Sequence, residues 1–371
     1  MDPEGEHPGE GERDMQVPGQ VLSGWGKLGR GRVPGERRVW CALLLAVWAA
    51  VGVWVAAGGP ALAQREDPID IYFFAGGPPG DPFATIVYNG ARHAAEILGD
   101  RVRVRYVFSD WNPDTMVRHF QEAVAARPDG IAVMGHPGVD ALRPFVEEAI
   151  RLGIIVTSQN VTLPELQERY ADRGFGYVGQ DLYGSGYMLG KAAVQRAGLK
   201  AGDRAMVWGL LRLPQRGLRT RGVIDALREA GVVVDYIEIS PEVDADAAAG
   251  IPVFVGYVER NPDVRLVVTD HGALTATLPI YLEAAGLRPG QVYAAGFDVS
   301  PTTLAGIRQG YIGVVHSQQP FLQGFLPIFQ IYLTKRFGIS GLHIDTGVGL
   351  IDANNVERLA PLVEQGLAGA R

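Results

Sequence analysis

Cysteine is almost absent from this 371-residue sequence, and the single Cys41 lies in an apolar N-terminal segment. The chain after that segment has no thiol, which excludes disulfides, thiolate catalysis and cysteine-bound metals there. Basic residues are also in deficit, with 34 Lys and Arg against 41 Asp and Glu and a formal net charge of −7. A nucleic-acid partner requires clustered positive charge, so we expect none.

Patterns typical of metal sites and hydrolytic sites are missing as well. The histidines after the N-terminal segment are scattered, with no pair at metal-ligand spacing, and no serine lies in a Gly-x-Ser-x-Gly elbow. A Gly-x-Gly-x-x-Gly pattern at Gly174 to Gly179 lies inside a strand-like run, where it cannot hold a pyrophosphate. We therefore expect no cofactor, no metal and no catalytic residue. Catalytic groups distant in sequence leave an α/β enzyme as an alternative.

The first 63 residues have the pattern of an export signal. Arg37 and Arg38 precede the uncharged run VWCALLLAVWAAVGVWVAA, and the segment ends at Ala61-Leu62-Ala63. This order predicts a secretory signal that is cleaved before Gln64, and hence a periplasmic or extracellular protein. A retained membrane anchor is the alternative, because about nineteen apolar residues can span a bilayer.

From Ile69 onward, apolar runs alternate with amphipathic helical patterns, as in IDIYFF, DGIAVMG and VRLVVTD. Runs that are apolar throughout and followed by a helix are typical of parallel strands covered on both faces. The predicted fold class is therefore α/β and doubly wound. About ten such units are more than one sheet holds comfortably, so we predict two Rossmann-like lobes with parallel sheets.

The best-defined helix start is Asp81-Pro82-Phe83, after the turn AGGPPG. Asp81 is a good N-cap, and Pro82 at the first helical position loses no hydrogen bond that the helix needs. Phe83 then lies at the open end of the helix, where it either packs on the core or faces a cleft.

Ligands of open parallel sheets bind outside the carboxyl ends of the strands. The residues that close the apolar runs here are rich in amides and carboxylates, and they include Asp110-Trp111, Gln159-Asn160, Asp270, Asp298 and Gln318.

An ordered series of motifs resembles the periplasmic sugar-binding proteins of ABC importers. The motifs are Asp81-Pro82-Phe83, Gln159-Asn160, Val178-Gly179-Gln180-Asp181, Gly184-x-Gly186, Arg219-x-Arg221-Gly222, Val268-Thr269-Asp270-His271, Gly296-Phe297-Asp298 and Gln318-Gln319-Pro320. The resemblance extends from about Asp67 to Asp352. The family shares its fold with the ligand-binding core of bacterial repressors, but those carry a DNA-binding helix-turn-helix where this chain has the export signal.

The resemblance implies a type I periplasmic binding protein, with two lobes joined by three hinge crossovers and closing on the ligand. Residues 66–180 plus 319–345 would form the N-terminal lobe, and residues 181–318 plus 346–371 the C-terminal lobe. We expect a monomer.

The resemblance also assigns roles in ligand binding. Phe83 would lie against the sugar ring, with Asp81 beside it in a place usually held by Asn. Asp270 and Asp298 would accept hydrogen bonds from hydroxyls, Arg219 would donate them, and Gln318 would act near the hinge. Gln159 and Asn160 replace an Asp-Arg pair that is common in the family. Trp111 and Trp208 either form a second aromatic wall or pack in the core.

These roles predict a secreted binding protein that captures a small neutral sugar, polyol or sugar derivative and delivers it to the membrane permease of an ABC importer. Carboxylates and amides match the hydroxyls of such a ligand, and aromatic faces match its C–H surface. A membrane-anchored sugar sensor that signals to a receptor or kinase is one alternative, and an α/β enzyme that acts on a sugar is another. A repressor core is disfavoured by the signal and by the negative charge.

Overall fold

The computed structural model describes residues 67–347 and 349–366. The predicted signal or anchor lies outside these residues.

Within the described ranges, no helix is both long enough and apolar enough to cross a membrane.

The described chain alternates between strands and helices. The strands are β1 Ile69–Gly76, β2 Val102–Phe108, β3 Gly130–Met134, β4 Ile155–Gln159, β5 Gly176–Gly179, β6 Arg204–Gly209, β7 Val233–Glu238, β8 Val264–Thr269, β9 Tyr293–Phe297, β10 Val314–Ser317, β11 His343–Asp345 and β12 Gly349–Ile351. The α-helices are α1 Pro82–Leu98, α2 Pro113–Ala125, α3 Val139–Arg151, α4 Pro164–Tyr170, α5 Leu182–Ala197, α6 Leu218–Glu229, α7 Pro241–Ala245, α8 Ile251–Arg260, α9 Gly272–Ala284, α10 Pro301–Arg308, α11 Pro320–Phe337 and α12 Val356–Glu364.

The strands form two six-stranded sheets. The first has the order β11-β5-β4-β3-β1-β2, and the second has the order β12-β10-β9-β8-β6-β7. Strand pairs are parallel, apart from the antiparallel contact of β12 with β10. The chain changes sheet after β5, after β10 and after β11, which makes three crossovers. The prediction of two doubly wound α/β lobes is confirmed, and we call them lobe 1 (first sheet) and lobe 2 (second sheet).

Apolar side chains cover both faces of each sheet. In β1, for example, Phe73 packs in one core cluster of lobe 1 and the adjacent Phe74 packs in the other. Successive side chains of a strand point to opposite faces, so a strand buried on both faces must be apolar at every position. This requirement explains the continuous apolar runs in the sequence.

In lobe 1, helices α1 and α11 approach so closely that each requires a glycine. A Cβ atom at Gly90 would lie 2.0 Å from the carbonyl oxygen of Phe321, and a Cβ at Gly324 would lie 1.8 Å from that of Val87. Backbone therefore lies against backbone in both directions, and the relative position of the two helices is fixed.

Lobe 2 has the same arrangement between α5 and α6. A Cβ at Gly186 would lie 1.9 Å from the carbonyl oxygen of Arg219, and a Cβ at Gly222 would lie 2.2 Å from that of Tyr183. Both lobes thus use reciprocal glycine contacts to hold a helix pair.

We expect Gly324→Ala to lower the melting temperature. The added methyl group would push against the Val87 carbonyl, and such overpacking costs about 1–3 kcal/mol of the free energy of unfolding. Gly256→Ala in α8 is the matched control, because its nearest neighbour is the flexible Arg260 guanidinium at 3.2 Å. Alanine is favoured over glycine inside a helix by about 1 kcal/mol, so the control variant should melt at the same temperature or higher. Equal melting temperatures for both variants in circular dichroism would contradict the reciprocal packing.

Candidate ligand-binding site

A cavity of about 310 Å³ is lined by residues of both lobes. Its walls come from the segments after β1, β2, β3 and β4 in lobe 1 and after β6, β7, β8, β9 and β10 in lobe 2. These segments are at the carboxyl ends of the strands, where doubly wound folds bind ligands.

Most of the residues predicted for the site line this cavity. They are Asp81, Phe83, Trp111, Asn160, Arg219, Asp298 and Gln318. Gln159 and Asp270 are placed elsewhere. The Gln159 side chain is fully buried in the sheet, and its Nε2 donates to the carbonyl oxygen of Phe74 at 2.5 Å. The Asp270 side chain is buried next to the cavity and does not line it.

The start of α1 has the geometry that the sequence indicates. Oδ1 of Asp81 accepts a hydrogen bond from the backbone N–H of Ala84 at 2.7 Å, and Pro82 occupies the first turn. This cap holds the first turn of α1 at the cavity, and Phe83 lines the cavity while also packing against the core of lobe 1.

Three rings in lobe 1 form an aromatic wall. Phe83 and Trp111 have ring centroids 5.8 Å apart, and Trp111 and His136 have centroids 5.3 Å apart. The indole of Trp111 packs on the turn after β1, since a Cβ at either Gly76 or Gly77 would come within 2.6 Å of it. Its position is therefore set by backbone contacts before any ligand arrives.

Trp208 is not part of this wall. Only 1% of its surface is exposed, and its ring packs against Tyr281 in the core of lobe 2 with a centroid distance of 5.5 Å. Of the two alternatives for the tryptophans, Trp111 lines the cavity and Trp208 belongs to the core.

Asp270 forms a buried ion cluster with two arginines. Its carboxylate lies 2.6 Å from Arg216 and 3.1 Å from Arg219, and all three side chains are less than a tenth exposed. Burial by itself raises the pKa of Asp270, but the two cations outweigh it and bring that pKa down to about 2. Asp270 thus stays ionised and holds both guanidinium groups at the cavity wall.

Arg219 is fixed on a second side as well. Its guanidinium carbon lies 4.2 Å from the centroid of the Phe297 ring, a cation–π contact, while its Nη2 donates to the backbone oxygen of Asp270. Burial, followed by the neighbouring Arg216 cation, lowers the pKa of Arg219 from its ordinary value.

Asp298 is in a different electrostatic state from Asp270. Its Oδ1 accepts a hydrogen bond of 2.6 Å from Nε2 of Gln318. Burial raises the pKa of Asp298, and Arg219 opposes this only in part. Unlike Asp270, Asp298 has no direct ion pair among the described residues and faces the cavity.

Side-chain amides connect this carboxylate with the crossovers between the lobes. Oε1 of Gln318 accepts hydrogen bonds from Asn160 at 3.2 Å, from Gln180 at 3.1 Å and from Gln323 at 3.3 Å. Nε2 of Gln323 also donates to the hydroxyl oxygen of Thr346 at 3.0 Å. We call Asn160, Gln180, Gln318, Gln323 and Thr346 the amide hub. Its members come from the ends of β4, β5, β10 and β11 and from the first turns of α11.

Unusual backbone conformations cluster around the cavity. Among the described residues other than glycine, those with left-handed φ angles at the ends of strands are Asp110, Trp111, Asn160, Asp298 and Gln319. Such conformations cost free energy and persist where the surroundings impose them, which is typical of functional sites.

Four ionisable residues of the cavity lining were not predicted as ligand contacts: His136, Arg216, Asp244 and His271. Nε2 of His271 lies 3.2 Å from Oδ1 of Asp244, which belongs to the short helix α7. Burial and the nearby Arg216 lower the pKa of His136 to about 3, so this imidazole is neutral. Arg216 lies in the turn before α6 and its partner Asp270 is distant in sequence, so no local pattern indicates its place at the cavity.

Comparison with known proteins assigns the family. The model described as "Periplasmic binding protein domain" matches residues 72–333, which is more than half of the chain. The chain belongs to this family. Membership implies a periplasmic or extracellular location.

A relative named xylose/arabinose-binding protein XylF, from Sulfolobus acidocaldarius, is 28% identical over 257 residues. The match covers 66% of this chain and 61% of the length of that relative.

Two solved structures have the same fold. The carbohydrate transporter from Acidothermus cellulolyticus 11B in complex with myo-inositol has a TM-score of 0.69 and 24% identity, covering 81% of this chain and 99% of that one. An ABC transporter solute-binding protein from Burkholderia graminis C4D1M in complex with D-arabinose has a TM-score of 0.68 and 21% identity, covering 79% and 98%.

We expect Asp270→Asn to destabilise the protein strongly, because it leaves Arg216 and Arg219 buried without their counter-charge. Loss of one partner from a buried ion pair costs about 3–5 kcal/mol of the free energy of unfolding. Asp263→Asn is the control, because Asp263 pairs with Arg204 at 3.1 Å on the surface and is 65% exposed. An exposed pair contributes about 1 kcal/mol or less. Similar decreases of the melting temperature in both variants would show that the Asp270 cluster contributes no more to stability than an exposed ion pair.

Proposed function

We propose that this protein captures a small neutral sugar, polyol or sugar derivative between its lobes and delivers it, unchanged, to the membrane permease of an ABC importer. The observation that carries the proposal is the cavity to which both lobes contribute. It brings a carboxylate, amides, a guanidinium and aromatic rings together around one space.

These groups match the chemistry of a polyhydroxylated ligand. Each hydroxyl group is both a donor and an acceptor, so Asp298 can accept from it while Arg219 donates to it. The face of Phe83 can lie against the C–H surface of a ring. Hydrogen bonds to charged groups contribute about 1.5–3 kcal/mol each, and a ligand without the matching hydroxyl would leave a buried charge without a partner.

The names of the relatives support this ligand class. One relative is named for xylose and arabinose, and the two solved structures hold myo-inositol and D-arabinose. All of these are small neutral polyhydroxylated molecules.

The cavity also favours binding over catalysis. Its serine, Ser300, caps α10 by accepting a hydrogen bond from Thr303 N–H at 3.0 Å, and His271 is paired with Asp244. Neither is placed as a nucleophile with its base. Incubation with candidate sugars and analysis for products tests the enzymatic alternative directly.

Asp298→Asn should weaken sugar binding by about 2 kcal/mol or more, because the variant loses a charged acceptor in the cavity. Isothermal titration calorimetry with D-xylose, D-arabinose and myo-inositol measures this change, and the exposed Asp140→Asn serves as the control. Equal affinity in the Asp298 and Asp140 variants would exclude Asp298 from the site. If none of a wider panel of pentoses, hexoses and polyols binds the unmodified protein or raises its melting temperature, the proposed function is wrong.

Ligand should also compact the molecule. The amide hub lies where the chain crosses between the lobes, so we expect the lobes to close about it when a ligand binds the closed state preferentially. Small-angle X-ray scattering at saturating ligand should give a smaller radius of gyration than without ligand. The Asp298→Asn variant, at a ligand concentration that leaves it unoccupied, should show no change. Superimposable curves for the unmodified protein would argue against hinge closure.

A further inference from the structure

The cavity lining extends from the polar residues near the hinge to segments that follow the outermost strands. In the second sheet it follows β10, β9, β8, β6 and β7, from Gln318 at the hinge side to Asp244 at the outer side. Neighbouring strands lie about 4.8 Å apart, so the ends of these five strands span about 19 Å. In the first sheet the lining likewise runs from Asn160 after β4 to Trp111 after β2, the outermost strand.

A single sugar ring fills only part of this length. A pyranose, with C–C bonds of about 1.5 Å, is about 7 Å across including its hydroxyl groups. If one ring contacts Asn160, Asp298 and Gln318 near the hinge, the outer part of the cavity is left for something else.

The outer part has its own recognition groups. We define the outer subsite as Trp111 and His136 of lobe 1 together with Arg216, Asp244 and His271 of lobe 2. Arg216 and Asp244 both act on the pKa of His136, so these groups of the two lobes are close to one another across the cavity.

The polar side chains of this subsite are largely buried. The Arg216 guanidinium pairs with Asp270 through Nη1 at 2.6 Å, and Arg216 is only 6% exposed and lines the cavity. Nδ1 of His136 is buried and has no hydrogen-bond partner among the described residues. Buried polar atoms are normally satisfied, so this nitrogen requires a polar partner, which a ligand with polar atoms would supply.

The same subsite offers a rigid apolar surface. The Trp111 indole is held on the backbone of Gly76 and Gly77, and its ring also lines the cavity. Aromatic faces of this kind pack against the C–H surface of a sugar ring.

Charge balance indicates that the occupant is neutral. The two cations Arg216 and Arg219 share the Asp270 carboxylate and lie at the same cavity as the Asp298 carboxylate, and the Asp244 carboxylate lies 3.2 Å from His271 and 3.6 Å from Arg212. A phosphate or carboxylate substituent would meet Asp244 without an unmatched cation to bind it. Hydroxyl groups, by contrast, match both the donors of Arg216 and the imidazole of His136.

We propose that the outer subsite binds a second neutral sugar ring, so that the preferred ligand is a disaccharide or a glycoside. This inference rests on the proposed function and specifies the ligand class of the same cavity. The inner ring contacts Asn160, Asp298 and Gln318, and the second ring lies between Trp111 and Arg216.

Calorimetric titration of the full chain with matched pairs of sugars tests the proposal. The probes are D-xylose with xylobiose, D-glucose with cellobiose, and myo-inositol with galactinol. In at least one pair, the larger member should bind about tenfold more tightly than the smaller one. Arg216→Gln should bring that affinity ratio close to one, whereas Arg221→Gln, at an exposed position of the helix that follows Arg216, should preserve it. Trp111→Leu repeats the test from the other lobe in case Arg216→Gln does not fold.

The outcomes separate this inference from the proposed function. If a monosaccharide or inositol binds and the second ring brings no gain in any pair, the outer subsite is refuted and the proposed function stands. A gain that survives both Arg216→Gln and Trp111→Leu would also refute it, because the second ring would then bind elsewhere. Absence of binding by every probe would overturn this inference, and the wider panel of pentoses, hexoses and polyols would then decide the proposed function separately.

Discussion

The hydrogen bonds of the Gln318 side chain connect the ligand cavity with the crossovers between the lobes. A carboxamide has one carbonyl oxygen and one NH₂ group, so its orientation is set once both ends are engaged. Here the oxygen accepts from Asn160, Gln180 and Gln323, and the nitrogen donates to Asp298. A movement of one lobe relative to the other therefore changes the hydrogen bonding of a cavity carboxylate. This coupling is what a protein that closes on its ligand requires.

Asp270 and Asp298 have different roles because their surroundings move their pKa values in opposite directions. Asp270 is compensated by two arginines and has a pKa of about 2, so it is a fixed anion that positions cations. Burial raises the pKa of Asp298, whose direct partner is a neutral amide. A hydroxyl donor from a ligand can stabilise the ionised form of Asp298 without displacing a cation. Much of the polar cavity wall is thus organised before binding, which reduces the free-energy cost of ordering it.

Much of this structure was predictable from the sequence, and the exceptions have physical reasons. Strands that are buried in a sheet are rich in apolar residues, so β1 to β10 could be predicted from apolar runs in the sequence. Strands β11 and β12 have three residues each, which is too short for a recognisable pattern. Gln159 is the last residue of β4 and is buried in the sheet, whereas Asn160 follows the strand with a left-handed φ angle and reaches the cavity, and the sequence does not show where the strand ends. The orientation of Arg216 depends on an irregular turn and on a partner 54 positions away, Asp270, and neither is visible in a local pattern.

The distribution of rigid and strained segments indicates where movement occurs. The reciprocal glycine contacts at Gly90 and Gly324, and at Gly186 and Gly222, hold the helix pairs of each lobe backbone to backbone, so neither lobe deforms easily. The left-handed residues Asn160 and Gln319, in contrast, are at or beside the amide hub. In the proposed closure, backbone angles change at a few positions between rigid bodies, so the free energy of ligand contacts would be used at the crossovers and not lost in deforming the lobes. Binding and closure are then one event, and the selectivity of the cavity for its ligand becomes selectivity for the closed form.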